Sequence, residues 1–100
     1  MVQGNAAKVD PTHYTVEFEN KRVRVLRIRY GPREKSVMHS HPDSVAVFLT
    51  DHAVKFTYPD GKADEVRVNA GEVNWLPATT HLPENLGDKA LELVLIELKG

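Results

Sequence analysis

Along most of this chain, apolar residues return at every second position. Tyr14, Val16 and Phe18 alternate with Thr15, Glu17 and Glu19, and Val23 and Val25 alternate with Arg22 and Arg24. Leu26, Ile28 and Tyr30 alternate with Arg27 and Arg29, and Val54, Phe56 and Tyr58 alternate with Ala53, Lys55 and Thr57. A period of two belongs to a strand, whose successive side chains point to opposite faces; no useful length shows the apolar spacing of a helix. Shorter apolar runs at 45–49, 65–68, 73–76 and 91–98 extend the pattern. The change of phase between Val25 and Leu26 predicts a bulge there.

Turn signals separate the runs: Glu19–Asn20–Lys21, Gly31–Pro32, Pro59–Asp60–Gly61, Asn69–Ala70–Gly71 and Leu86–Gly87–Asp88. In Tyr58-Pro59-Asp60-Gly61-Lys62, Pro presets φ and Gly accepts a positive φ, so the flanking runs are expected to form a hairpin. About eight or nine short strands at regular spacing make an all-β antiparallel sandwich or barrel. A chain of 100 residues holds one core and no more. The polar stretch 1–12 reads as an N-terminal tail or a strand exchanged with a neighbour, and 13–100 as the single barrel domain.

Composition narrows the functions. The net charge of −1 provides no attraction to nucleic acid or to an anionic membrane. No apolar run approaches the roughly 20 residues of a membrane helix, and the first ten residues lack the apolar stretch of a secretion signal. The absence of cysteine removes thiolate ligands, thiol nucleophiles and disulfides, in keeping with a reducing compartment. The expectation is a soluble cytoplasmic protein.

The five histidines carry the chemistry. His39 and His41, in Met38-His39-Ser40-His41-Pro42, point to the same side if the segment is extended. Two imidazoles one strand repeat apart can grip a single ion. A third, His81, follows Gly71-Glu72-Val73-Asn74-Trp75-Leu76-Pro77-Ala78-Thr79-Thr80, a tight turn, a short apolar strand and a Pro-started turn.

Here the sequence resembles the cupins, from about Tyr14 to Leu98. Their first motif places His-x-His near the start of a strand, matched by Gly31 with His39 and His41. Their second motif begins with Gly, has Pro six residues on, then His, then Asn four residues later, matched by Gly71, Pro77, His81 and Asn85. The stretch Phe18 to Val25 looks like the opening strands of small single-domain bacterial cupins. The match departs from the pattern in several places. The interval from Gly31 to His39 is two residues longer than usual, that from Pro77 to His81 one shorter, and Thr79 stands where Gly is frequent. The Glu that usually follows the second histidine as a ligand is absent from His41-Pro42-Asp43-Ser44-Val45-Ala46-Val47.

The resemblance implies a double-stranded β-helix, or jelly-roll barrel, holding one divalent transition metal ion (Fe, Zn, Ni, Mn or Cu) on His39, His41 and His81. Three imidazoles leave the ion's charge uncompensated, so it polarises whatever binds the open positions. Cupin sites of this kind resemble those of Fe(II) thiol and diketone dioxygenases. The implied function is therefore a metal-dependent oxygenase acting on a small organic molecule, with a non-catalytic metal- or small-molecule-binding module as the alternative. Cupins of this size commonly form homodimers.

Other residues keep two readings. Asp43 is either a carboxylate ligand or a turn residue, and His13 and His52 read as surface histidines. Asn85 is a turn partner or part of the site, and Glu84 a base in the cavity or a loop carboxylate. Trp75 lines the cavity or packs on a dimer partner. One of Arg27 and Arg29 reaches inward to hold a substrate carboxylate, or both lie on an exposed face.

Overall fold

A computed structural model describes residues 5–100. A helical turn, α1 (Ala6–Val9), precedes nine strands: β1 (Tyr14–Glu19), β2 (Val23–Tyr30), β3 (His39–His41), β4 (Ser44–Phe48), β5 (His52–Thr57), β6 (Ala63–Val68), β7 (Val73–Leu76), β8 (Thr79–Asn85) and β9 (Leu91–Leu98). They form a five-stranded sheet in the order β1-β2-β9-β4-β7 and a four-stranded sheet in the order β3-β8-β5-β6. All named strand pairs are antiparallel. The result is the all-β double-stranded β-helix, and among the described residues no helix is long and apolar enough to cross a membrane.

The core follows the period of two. In β9, Leu91, Leu93, Leu95 and Glu97 are buried and Glu92, Val94 and Ile96 less so. Leu26, Ile28 and Tyr30 of β2 pair with Leu95, Leu93 and Leu91 on the inward face. Ala46 and Phe48 of β4 join them in one hydrophobic cluster. The hairpin between β5 and β6 turns at Gly61, whose φ of 88° is the conformation that favours glycine. Tyr58 N donates to Lys62 O at 2.8 Å across this turn.

The bulge lies elsewhere than the phase change suggests. The pairing of β2 with β9 runs unbroken from Val23 to Tyr30, and the register shift falls in β1, between Val16 and Phe18. Val25 is buried without changing phase, because it faces outward between Phe18 on β1 and Ile96 on β9. An apolar neighbour on each side covers it from the outer face.

Of the N-terminal stretch, residues 1–4 lie outside the described residues. From Asn5 the chain packs on its own barrel. Asn5 bridges Ser40, and Ala6 is fully buried in the core cluster. Asp10 accepts from Tyr14 N at 3.1 Å, leading directly into β1.

Candidate metal centre

The pairing of β3 with β8 builds the centre. His39 lies directly opposite His81, and His41 opposite Thr79. Because side chains alternate along β3, His41 emerges on the same face as His39. All three histidines are buried, and one ligand nitrogen from each lies within 4.8 Å of the others. Neighbouring ring centroids are 4.7–5.2 Å apart.

Hydrogen bonds orient two of the rings. His39 Nδ1 donates to Val37 O at 2.8 Å, leaving Nε2 as the nitrogen that carries the lone pair, with the Tyr14 hydroxyl 3.2 Å from it. His41 Nδ1 lies 2.6 Å from Glu97 Oε2, so it too donates and turns Nε2 toward its neighbours. A carboxylate that holds the far nitrogen of a ligand histidine is a recurrent support in metal sites. His81 stacks on Phe56 with centroids 4.7 Å apart and planes 10° from parallel. Its Nε2 is buried with no hydrogen-bond partner among the described residues, a cost that ligand bonding removes.

Electrostatics favour neutral rings. Burial, then the neighbouring His41, lowers His39 to about 4. Burial, followed by His41 and His39, lowers His81 to about 3. Neutral imidazole is the form that ligates metal, so the donor set fits a divalent transition ion. Beside the centre, the Tyr14 hydroxyl is 3.2 Å from His39 Nε2 and 2.6 Å from the Tyr30 hydroxyl. Burial holds Tyr14 well above its ordinary value, with Tyr30 adding to the shift, so Tyr14 is a neutral donor.

The remaining candidates fall outside the centre or acquire other roles. Asn85 is buried, but its Nδ2 donates to Gly31 O and Lys89 O at 3.0 and 2.8 Å and its Oδ1 accepts from Gly87 N at 2.9 Å. It clamps the loops around β8, as the turn reading expects. Glu84 points away from the buried series His81, Pro83 and Asn85, opposite Lys55. Trp75 is 55% exposed on the outer face of β7, so the cavity reading is corrected: its inward neighbours are Asn74 and Leu76. Arg27 also faces outward, bonding Glu92 at 3.1 Å, and Arg29 is exposed. Neither lines the cavity, because Leu26, Ile28 and Tyr30 occupy the inward positions of β2. Asp43 is a turn residue whose Oδ1 accepts from Ala78 N at 2.8 Å.

His52 and His13, read as surface histidines, are half-buried. His52 opens β5 in phase with Val54 and Phe56 and lines the interior with them. His13 stacks on Tyr30 at 4.4 Å and its Nδ1 lies 2.7 Å from Asp10. Glu97 escaped the sequence reading altogether, although it shares the inward phase of Leu91, Leu93 and Leu95. An acidic residue in that phase is the available sign of a buried polar role.

Fold and site together define a double-stranded β-helix protein with a three-histidine cluster. The chain matches no family model and no curated protein. Among solved structures it is similar to a cupin domain from Bordetella pertussis Tohama I, 26% identical, covering 100% of this chain and 99% of that one with a TM-score of 0.81. A Klebsiella pneumoniae protein with a double-stranded β-helix domain is 18% identical over 87% of this chain and 76% of its own, with a TM-score of 0.68. Bacillus subtilis oxalate decarboxylase, a protein with Mn(II) centres, is 25% identical over 77% of this chain but only 22% of its own length, with a TM-score of 0.59. This chain has the fold of a small cupin domain, and its three histidines can hold a metal ion.

Proposed function

We propose that the chain holds one divalent transition metal ion on His39, His41 and His81 and acts as an Fe(II)-type oxygenase on a small organic substrate. The supporting observation is the convergence of three buried imidazoles, two with their Nδ1 protons held by other acceptors, of which His41 and His81 also line an interior cavity. Three protein ligands with open positions are the arrangement of catalytic rather than structural metal sites. The bound ion would supply a Lewis-acidic, redox-active open position.

The chain's own residues do the rest. Glu97 holds His41, Val37 O holds His39, and Phe56 supports the His81 ring. Tyr14 keeps a neutral hydroxyl against His39 Nε2, held from the other side by Tyr30. The apolar wall formed by residues such as Val54 and Leu93 excludes water from the reacting groups. The cysteine-free sequence favours a cytoplasmic setting.

The test is metal analysis of freshly purified protein, followed by oxygen uptake after loading with Fe(II), Mn, Ni, Cu or Zn. Fe(II)-dependent oxygen uptake with an organic substrate supports the oxygenase. Metal uptake without turnover replaces it with the binding module. Failure to take up any of these metals overturns both metal readings.

A further inference from the structure

The cavity beside the histidines has an unusual chemical character for a site built around a cation. It measures about 140 Å³. Tyr14, Tyr30, His41 and His81 stand at its polar end, and Ile28, Phe48, Val54, Phe56, Leu93 and Leu95 supply much of the wall. Among the described residues no Lys, Arg, Asp or Glu lines it. Arg27 and Arg29 are on the outer face of β2, and Arg24, in the inward phase, is already paired with Glu19 and Glu97.

This lining discriminates by charge. An anion entering the cavity gives up its hydration and finds no cationic side chain or arginine fork to replace it. An anionic group can meet the ion, but each further negative charge is offset by the ion alone, because no side chain of the wall shares it. The Tyr14 and Tyr30 hydroxyls are already engaged with each other and with His39. An uncharged apolar body loses nothing on entry and gains the transfer free energy of its surface. Volume sets the size, since an apolar cavity near 150 Å³ accommodates benzene.

His52, Val66 and Val68 line this cavity and also an outer groove that includes Asp51, Ala53 and Arg67. They therefore form the wall shared by the cavity and the groove.

We propose that the ligand of this centre is a compact uncharged molecule with an apolar body of about benzene size and a single oxygen donor directed at the histidines. The donor half of this statement rests on the proposed metal centre; the apolar half rests on the cavity alone.

The experiment compares benzene, phenol and malonate on protein loaded with Co(II) and on chelator-treated protein. Binding is read by calorimetry and protein NMR, and donor contact by the Co(II) absorption spectrum. Benzene and phenol are expected to bind both forms. Phenol should bind the loaded form more tightly and shift its spectrum, and malonate should bind that form about 100-fold or more weakly than phenol. Val54→Phe, which fills the cavity, should abolish benzene binding while metal uptake persists. Val68→Leu is a milder filling and should weaken benzene binding at least severalfold.

Malonate binding as tightly as phenol, or failure of benzene to bind either form, overturns the proposal even if metal is taken up. Benzene binding that survives both substitutions also overturns it. If Co(II) is not taken up, the metal reading and the donor half fall together, while benzene binding to the unloaded protein supports the apolar half.

Discussion

His41 Nδ1 and Glu97 Oε2 lie 2.6 Å apart, with both side chains buried. His41 belongs to the four-stranded sheet and Glu97 to the five-stranded one, so the bond crosses the interior of the barrel. It also brings a carboxylate beside the centre from β9, where Glu97 pairs with Ser44, in the stretch where the cupin pattern carries a ligand glutamate. Glu97 Oε1 lies 3.6 Å from Arg24 Nη1, which keeps the acid beside a cation at the sheet edge. Glu97→Gln keeps an acceptor of the same shape but removes the charge. Metal affinity is expected to fall about 10–100-fold, measured by competition with a chromogenic chelator, while the circular dichroism spectrum stays that of the parent.

Removing a ligand has a different signature. His39→Ala and His81→Ala are each expected to abolish stoichiometric metal uptake and to lower the melting temperature of protein prepared with metal. Elemental analysis alongside differential scanning calorimetry checks both effects. Equal metal content in parent and variants would exclude these residues as ligands.

The metal-free protein is expected to lose stability in acid. His39 and His81 bind a proton near 4 and 3 in the folded chain, below their ordinary value of 6.5. In the window between, the unfolded chain binds more protons than the folded one, so stability rises with pH. The contribution is complete above about 6.5 and declines as pH falls, over a range reaching down to about 4 for His39 and about 3 for His81. Each histidine adds a slope of at most about 1.4 kcal/mol per pH unit. Urea unfolding of chelator-treated protein between pH 8 and about pH 4 reads this slope, and replacing either histidine by Gln should reduce it.

Leu26 is 1% exposed and faces Leu95 across the five-stranded sheet. Leu26→Ala is expected to cost about 2–5 kcal/mol, measured by denaturant unfolding. A loss below about 1 kcal/mol would show that the inner face can close around the gap.

The outer face of the same sheet carries an apolar row, Phe18–Val25–Ile96–Val45–Trp75, one residue from each strand in register. Its two ends are 56% and 55% exposed, a large apolar surface for an isolated domain. Arg27, Glu17 and Glu92 pair on this face, giving both signs of charge that a two-fold-related copy can match. We propose that a second copy of this chain covers the row. Sedimentation equilibrium is expected to show a dimer for the parent and a monomer for Trp75→Glu. A parent that stays monomeric at about 100 μM, where weak homodimers already associate, would refute the pairing.

Much of the architecture is legible in the sequence because two-residue periodicity is a direct image of a sheet with one buried face. The resemblance to the cupin motifs, with Gly71, Pro77 and Asn85 around His81, likewise named three histidines that the fold brings together. Side-chain phase was harder to read where burial has two origins. Val25 is buried by neighbours on the outer face, which imitates a phase change in β2. Trp75 carried two readings, the cavity or a dimer partner, which only the phase of β7 separates, because Asn74 and Leu76 take the inward positions. His52 resembled a turn residue because the start of β5 carries no strong local mark. Glu97 was hidden for a different reason: its partner is 56 positions away on the opposite sheet, and no local pattern reports such a pairing.

The bond between His41 and Glu97 also couples two motions. For the two sheets to separate, it must break, and the histidine that loses it is then free to rotate away from its neighbours. Departure of a metal ion would therefore be timed by the opening of the barrel as well as by the strength of the ligand bonds. Metal exchange measured over hours would act as a clock for fluctuations too rare to appear in an average structure, and Glu97→Gln should make that clock run faster.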